Sequence, residues 1–141
     1  MKSYLIKNHK LWQNSYSAQN VENVIFRLQG RILKKKYKLP KKNKLTTMLD
    51  FGCGQGATVN YFNQCGYDSY GVDISEIDIE IAKARYPQIA HKFFVCKPDV
   101  FKVPMTKFTE NKKISLITGQ QSLYYFDKED FFTLLKNFKN S

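Results

Sequence analysis

Apolar runs alternate with amphipathic segments along residues 45–141. Short runs rich in apolar residues predict four strands, and segments with apolar residues at three- to four-residue steps predict helices between them. The predicted strands cover residues 46–51, 67–73, 92–96 and 113–118, and the predicted helices cover residues 58–65, 75–86 and 127–137. Strands that alternate with helices of this length predict right-handed crossovers and a mostly parallel sheet.

Residues at the helix ends support this alternation. Gly66 is suited to the left-handed stop of the first helix, and Ser75 and Asp127 are suited to cap the next two. The apolar positions expected at helical spacing are Ile74, Ile77 and Ile81 in the second helix and Phe131, Leu134, Leu135 and Phe138 in the last. The predicted fold class is α/β, a Rossmann-like three-layer αβα arrangement. About four strands are few for such a sheet, so we expect an incomplete one and a domain that is only partly present.

The first 44 residues follow a different pattern. Apolar residues at helical steps, namely Val21, Val24, Ile25, Leu28 and Ile32, predict a helix from Ser17 to about Lys36. Leu39-Pro40 would stop this helix, and a lysine-rich linker follows. We therefore divide the chain into a basic N-terminal helical cap and linker, residues 1–44, and a domain of residues 45–141.

The excess positive charge lies entirely in the first segment. Residues 1–44 contain 12 Lys and Arg against the single acid Glu22, whereas residues 45–141 contain 11 basic and 11 acidic residues. The net charge of +11 therefore comes from the N-terminal segment. A patch of this kind could attract nucleic acid or another anionic partner. A solvated helix end and linker is the simpler interpretation, because the lysine-rich stretch 34–44 contains one aromatic residue, Tyr37, and no arginine.

Composition excludes several other classes of protein. An apolar share of 43% with 11 Phe and 9 Tyr argues against disorder. No apolar run approaches the roughly 20 residues of a membrane span, and residues 1–10 lack the apolar centre of a signal peptide. Three cysteines without CxxC spacing and only two histidines give little support to disulfides or a metal site. A reducing cytoplasm is the expected compartment.

Three alternate glycines, Gly52, Gly54 and Gly56, follow the first predicted strand and precede its helix. Glycine can adopt positive φ in a tight turn and lets a ligand approach the backbone without a Cβ in the way. The helix that begins there presents free N–H groups and a partial positive charge. The pattern predicts a site for a nucleotide-like ligand.

The acids beside this turn bear on which nucleotide binds. Gly52, Gly54 and Ala57 also fit the dinucleotide pattern G-x-G-x-x-G/A, and Asp73 could accept hydrogen bonds from the ribose of either NAD or another nucleoside. Asp50 would repel a pyrophosphate but would attract the ammonium and sulfonium groups of S-adenosylmethionine (SAM). Unit charges about 4 Å apart interact by roughly 4 kcal/mol at an effective dielectric constant near 20. No lysine follows the glycines as in a P-loop, and SAM is favoured.

LDFGCGQG (Leu49–Gly56) and GVDIS (Gly71–Ser75) resemble the first two motifs of class I SAM-dependent methyltransferases. The resemblance implies that the glycine turn packs against the methionine and ribose part of SAM. It implies that Asp50 serves the amino-acid end, Asp73 the ribose hydroxyls and Ile74 one face of adenine. The pair Asp99-Val100 resembles the residues that flank adenine, with Asp99 accepting from its amino group.

The run Ser115–Tyr125 resembles the fourth motif of small-molecule members of this family. Ser115 replaces the usual acid and Gln120 the usual Asn, and the run lacks the Asn/Asp-Pro-Pro-Tyr pattern of many nucleobase and glutamine methyltransferases. The resemblance implies O- or N-methylation of a small molecule or a sugar or polysaccharide precursor. The candidate pocket residues are Gln121, Tyr124 and Tyr125. No general base can be assigned from the sequence.

Three other interpretations remain open at this point. The basic N-terminal face could serve an RNA methyltransferase, or the chain could hold SAM without turnover, or it could use NAD. Each candidate residue also has a purely structural alternative: a tight turn for the glycines, a helix cap for Asp73, a buried structural acid for Asp50 and a loop acid for Asp99.

Overall fold

The computed structural model describes residues 46–120 and 122–141, together with single positions at 4, 6, 7, 10, 31–33, 35 and 39. Within these residues, four parallel strands form one sheet in the order β3-β2-β1-β4. The strands are β1 (Thr47–Phe51), β2 (Asp68–Asp73), β3 (Phe93–Val95) and β4 (Leu116–Thr118). The α-helices are α1 (Ala57–Gln64), α2 (Glu76–Arg85) and α3 (Lys128–Lys139). Short 3₁₀ turns cover Pro87–Lys92, Val100–Lys102, Met105–Phe108 and Leu123–Tyr125.

Alternation along the strands divides the core between the two faces of the sheet. Met48 packs with Phe62 of α1 on one face, whereas Leu49 and Phe51 pack with Leu134 of α3 on the other. Successive side chains of a strand point to opposite faces, so an apolar strand that is buried throughout must be covered on both. The α/β, Rossmann-like αβα arrangement expected from the sequence is confirmed in the described part of the chain.

Helix α2 begins where the sequence indicates, but it presents a different face to the sheet. The Ser75 hydroxyl accepts a hydrogen bond from the Asp78 N–H at 3.2 Å, as a capping residue should. Of the inner-face residues expected there, Ile77 is wrong, because it is 63% exposed, whereas Ile74 and Ile81 are half-buried. The buried apolar residues of the helix are Ile79 and Ala82. Ile77, Ile79 and Ile81 are identical residues at alternate positions, so the sequence does not reveal which of them faces the sheet.

Helix α3 is capped by Asp127, whose carboxylate accepts from the Asp130 N–H at 2.9 Å. Of the residues expected on its inner face, Leu134 is fully buried, Phe131 and Phe138 are half-buried, and Leu135 is largely exposed. The end of α1 is followed by Gly66 at φ 88°, the left-handed conformation expected there.

Most of the predicted N-terminal helix lies outside the described residues, and so does the lysine-rich linker. Positions 31–33 and 35 are helical. Tyr4 donates a hydrogen bond to Asp130 at 2.9 Å and accepts one from the Asp127 N–H at 3.1 Å. In the residues that can be described, no helix is both long and apolar enough to cross a bilayer.

Candidate cofactor-binding site

The turn after β1 is built on three left-handed glycines. Gly52, Gly54 and Gly56 have φ values of 77°, 50° and 82°. The Gly52 N–H donates to the Val72 carbonyl at 2.8 Å, which ties the turn to β2. A Cβ on Gly52 would lie 2.3 Å from the Cβ of Ser122, and one on Gly56 would lie 2.6 Å from the Phe93 ring. Both backbone angle and available space therefore require glycine at these two positions.

Asp73 connects the end of β2 to the glycine turn. One carboxylate oxygen accepts from the Gly54 N–H at 2.8 Å, and the other accepts from the Ser75 N–H at 2.9 Å. The side chain is buried. These main-chain bonds hold the carboxylate between the turn and the start of α2, the place in such sheets where nucleotide ligands bind.

Asp50 is a buried acid on the central strand of the site. Its carboxyl is 3% exposed and accepts a hydrogen bond from the Thr118 hydroxyl at 2.5 Å. Thr118 is the β4 residue in register with Asp50, and Gly71 is its counterpart on β2. Asp50 therefore lies at the carboxyl end of β1 between the two neighbouring strands.

Burial dominates the electrostatics of the site. It raises the pKa of Asp50 to about 7; the Thr118 hydrogen bond lowers this pKa and the nearby Asp73 raises it. Burial, Asp73 and Asp50 raise the pKa of the Cys53 thiol well above its usual value. Cys53 is consequently a neutral packing residue rather than a nucleophile.

Two hydroxyl residues of the site were missed by the sequence reasoning. Thr118 contacts Asp50, and the buried Ser122 donates to the Phe51 carbonyl at 2.7 Å, directly beside Gly52. Both lie in the stretch that resembles the fourth motif, and they become site residues because β4 is the neighbour of β1. The available signal was a polar residue at the end of a strand, which has little specificity on its own.

The residues predicted around adenine follow β2 and β3. Ile74 is half-buried against the core, Asp99 is exposed, and Val100 is 4% exposed within the same core cluster. The Cys96 N–H donates to the Asp73 carbonyl at 2.8 Å, which brings the segment after β3 to the end of β2. The roles of these three residues toward adenine stay predictions.

The predicted acceptor residues follow β4. Tyr124 is 65% exposed, and its ring centroid lies 4.4 Å from that of the half-buried Tyr125. Gln121 lies outside the described residues. The neighbouring Gln120 amide donates to the Thr58 hydroxyl at 3.3 Å, so this segment contacts the first turn of α1.

Residues 22–141 match the sequence model of a family described as a methyltransferase domain. The chain belongs to this family, and the resemblance to class I SAM-dependent methyltransferases is confirmed.

Solved structures share the fold at low sequence identity. A TehB-like SAM-dependent methyltransferase from Corynebacterium glutamicum matches with a TM-score of 0.59 and 21% identity, over 97% of this chain and 66% of that chain. Geranyl diphosphate C-methyltransferase from Streptomyces coelicolor, solved with S-adenosyl-L-homocysteine, matches with a TM-score of 0.61 and 20% identity, over 79% of this chain and 40% of that one.

A relative from Schizosaccharomyces pombe is also similar in sequence. Its mRNA cap guanine-N(7) methyltransferase is 28% identical over 89 residues, which cover 59% of this chain and 25% of that protein. The chain therefore spans less than two thirds of each of these three proteins.

Proposed function

We propose that the chain binds SAM at the glycine turn and takes part in methyl transfer to a small molecule or to a sugar or polysaccharide precursor. The observation that carries the cofactor assignment is the environment of Asp50. Its partners among the described residues are an uncharged hydroxyl and a second acid, Asp73, and within that part of the chain no basic side chain contributes to its pKa. A cationic ligand would supply the missing opposite charge.

The same environment argues against a pyrophosphate. Two carboxylates beside the glycine turn would repel a phosphate group, and burial weakens the screening of that repulsion. The ammonium and sulfonium groups of SAM have the opposite sign, so the site favours SAM over NAD.

The chain's own groups divide the work of holding such a ligand. Asp50 would face the methionine end, Asp73 would face the ribose hydroxyls, and the three glycines would allow close approach of the backbone. SAM supplies an activated methyl group when it is bound. The protein then has to align donor and acceptor and exclude water, and a dedicated nucleophile is unnecessary.

The acceptor assignment rests on the segment after β4. The tyrosine pair Tyr124 and Tyr125 offers two phenol groups, whose oxygens lie 3.2 Å apart. A polar acceptor such as a sugar hydroxyl could hydrogen-bond to these groups. Tyr125 or Tyr124, once ionised to the phenolate, would be the nearest candidate to receive a proton from such a hydroxyl.

A second candidate function is RNA methylation. It is favoured by the similarity to the cap guanine-N(7) methyltransferase and by the 12 basic residues in the first 44 positions. Basic residues bind nucleic acid through the phosphate backbone, so binding would weaken steeply with salt.

Calorimetry with SAM and S-adenosylhomocysteine tests the cofactor assignment. We expect wild type to bind both and Asp73→Asn to bind at least about ten-fold more weakly, because a neutral amide replaces a charged acceptor. Glu76→Gln, which changes an exposed acid in the first turn of α2, is the matched control and should bind like wild type. Equal binding by wild type and Asp73→Asn would reject the ribose assignment, and binding of NADH in place of SAM would reject the cofactor.

Transfer of a labelled methyl group from SAM identifies the acceptor class. Incorporation into a small-molecule or glycan fraction supports the first candidate. Incorporation into capped RNA that declines when Lys34, Lys35 and Lys36 become Ala supports the second. Cofactor binding without incorporation into either fraction would indicate a SAM-binding module without turnover.

A further inference from the structure

One side-chain hydrogen bond between β4 and β1 at the candidate site is not explained by the cofactor-binding motifs. Thr118 is buried, and its hydroxyl donates to one oxygen of the Asp50 carboxyl at 2.5 Å. The contact is fixed by the pairing of Asp50 with Thr118 across the two strands.

Apart from the Thr118 hydroxyl, the described surroundings of Asp50 disfavour its ionised form. Asp73, at the end of the neighbouring β2, is a like charge, and the glycine turn contributes the buried thiol of Cys53. Of the elements described around Asp50, β4 is the one that contributes a hydrogen-bond donor to its carboxylate. A hydrogen bond that favours the charged form of an acid lowers its pKa.

We propose that Thr118 is a positioning residue that favours the ionised form of Asp50 and aims its carboxylate at the cationic end of SAM, so that cofactor affinity depends on pH through this pair. The inference rests on the proposed function for its ligand, but the relation between the two residues can be measured without any ligand. SAM binds to the ionised form of Asp50, and the fraction of that form limits the apparent affinity.

The decisive variant is Thr118→Val, which removes the hydroxyl and keeps the shape of the side chain. A hydrogen bond to a charged group changes the pKa by about one unit or more, so the Asp50 midpoint should rise by at least about one pH unit. SAM affinity should then fall about ten-fold at pH 6 and less than about two-fold at pH 8.5. Thr118→Ser, which keeps the hydroxyl, should restore the wild-type profile.

A matched control separates this effect from a general loss of stability. Thr109 is buried as well, and its hydroxyl lies within hydrogen-bond distance of the carbonyls of Thr106, at 3.2 Å, and Lys112, at 2.9 Å. Thr109→Val should alter unfolding but leave the pH profile of SAM binding unchanged. Thr118→Ala replaces Thr118→Val if valine prevents folding.

Two measurements distinguish the possible failures. Calorimetry from pH 5.5 to 8.5 follows SAM binding, and ¹³C NMR of aspartate-labelled protein follows the Asp50 carboxyl, which is assigned by its loss in Asp50→Asn. A uniform loss of affinity at every pH, or an unmoved NMR midpoint in Thr118→Val, would overturn the role of Thr118. If wild type binds no SAM at any pH, the proposed cofactor is wrong, and the NMR midpoint still decides the role of Thr118.

Discussion

Gly52 joins the backbone of the turn to the segment after β4. Its φ of 77° is left-handed, and a Cβ there would meet the Cβ of Ser122 at 2.3 Å. Ser122 in turn donates to the Phe51 carbonyl, so a shift of this serine would break a buried hydrogen bond. Strain at Gly52 would therefore spread to the end of β4.

We expect Gly52→Ala to destabilise the protein by about 2 to 4 kcal/mol, from left-handed strain and overpacking together. Urea unfolding measures this loss. Gly66→Ala is the control, because Gly66 has φ 88° but is exposed, and it should lose only about 1 to 2 kcal/mol. Combining Gly52→Ala with Ser122→Gly should recover the part of the loss that comes from overpacking; equal losses in the two alanine variants would contradict the steric argument.

Residues in short local motifs can be singled out from the sequence, whereas residues that matter through contacts between strands cannot. Asp50, Asp73 and the glycines could be singled out because the turn and the acids that flank it follow a short, ordered pattern. Thr118 and Ser122 could not, because their roles depend on β4 pairing with β1, and four strands can be ordered in several ways. Their importance arises from tertiary structure.

The starts of three strands are linked at the end of the sheet opposite the glycine turn. Asp68, the first residue of β2, accepts from Lys92 at 2.8 Å and from Lys112 at 2.9 Å. Lys92 immediately precedes β3, and Lys112 lies before β4. Burial raises the pKa of Asp68, but the hydrogen bonds from Lys92 and Lys112 outweigh it and lower this pKa below the usual value.

We expect Asp68→Asn to lose about 1 to 3 kcal/mol of stability at neutral pH, because two lysines lose a charged acceptor. The lowered pKa means that this contribution is present above about pH 4 and is lost as the pH falls through the folded-state value. Urea unfolding at pH 7 and pH 3 should therefore show a difference between wild type and variant that shrinks at the lower pH. Glu110→Gln, at an exposed position bonded to the same Lys112, should have a smaller effect; an effect as large as that of Asp68→Asn would argue against the linkage of the strands.

The order of the strands and helices followed from the sequence, but the 3₁₀ turns and the length of β4 did not. The alternation of apolar runs with amphipathic segments has a strong period, so strands and helices appear in the predicted order. The 3₁₀ turns at Val100–Lys102 and Met105–Phe108 have no such period, and β4 is shorter than the predicted strand 113–118. Ser115 still donates its N–H to the Thr47 carbonyl, so the chain continues along β1 beyond the regular part of β4.

In the whole folded molecule, the sheet buries an acid, Asp50, and burial favours its neutral form. Asp50 is buried at the carboxyl end of the central β1, and its pKa is raised from 3.8 to about 7. At pH values between these two pKa values, folding is therefore accompanied by uptake of a proton at Asp50. The ionised form of Asp50, which a cationic ligand would bind, therefore lowers the free energy of unfolding as long as no ligand is present.

The pH dependence of stability should reveal this conflict. An acid with a raised folded-state pKa contributes fully below its unfolded value, near pH 4, and the contribution is lost as the pH rises through about 7. We expect wild type to lose about 2 to 4 kcal/mol of unfolding free energy across this interval relative to Asp50→Asn, which cannot ionise. Urea unfolding at pH 5, 6, 7 and 8 measures the difference. Asp99→Asn, at an exposed acid, should follow the wild-type curve. Parallel curves for wild type and Asp50→Asn would mean that the buried carboxyl is compensated in the folded protein, and the case for a cationic ligand would lose its main support.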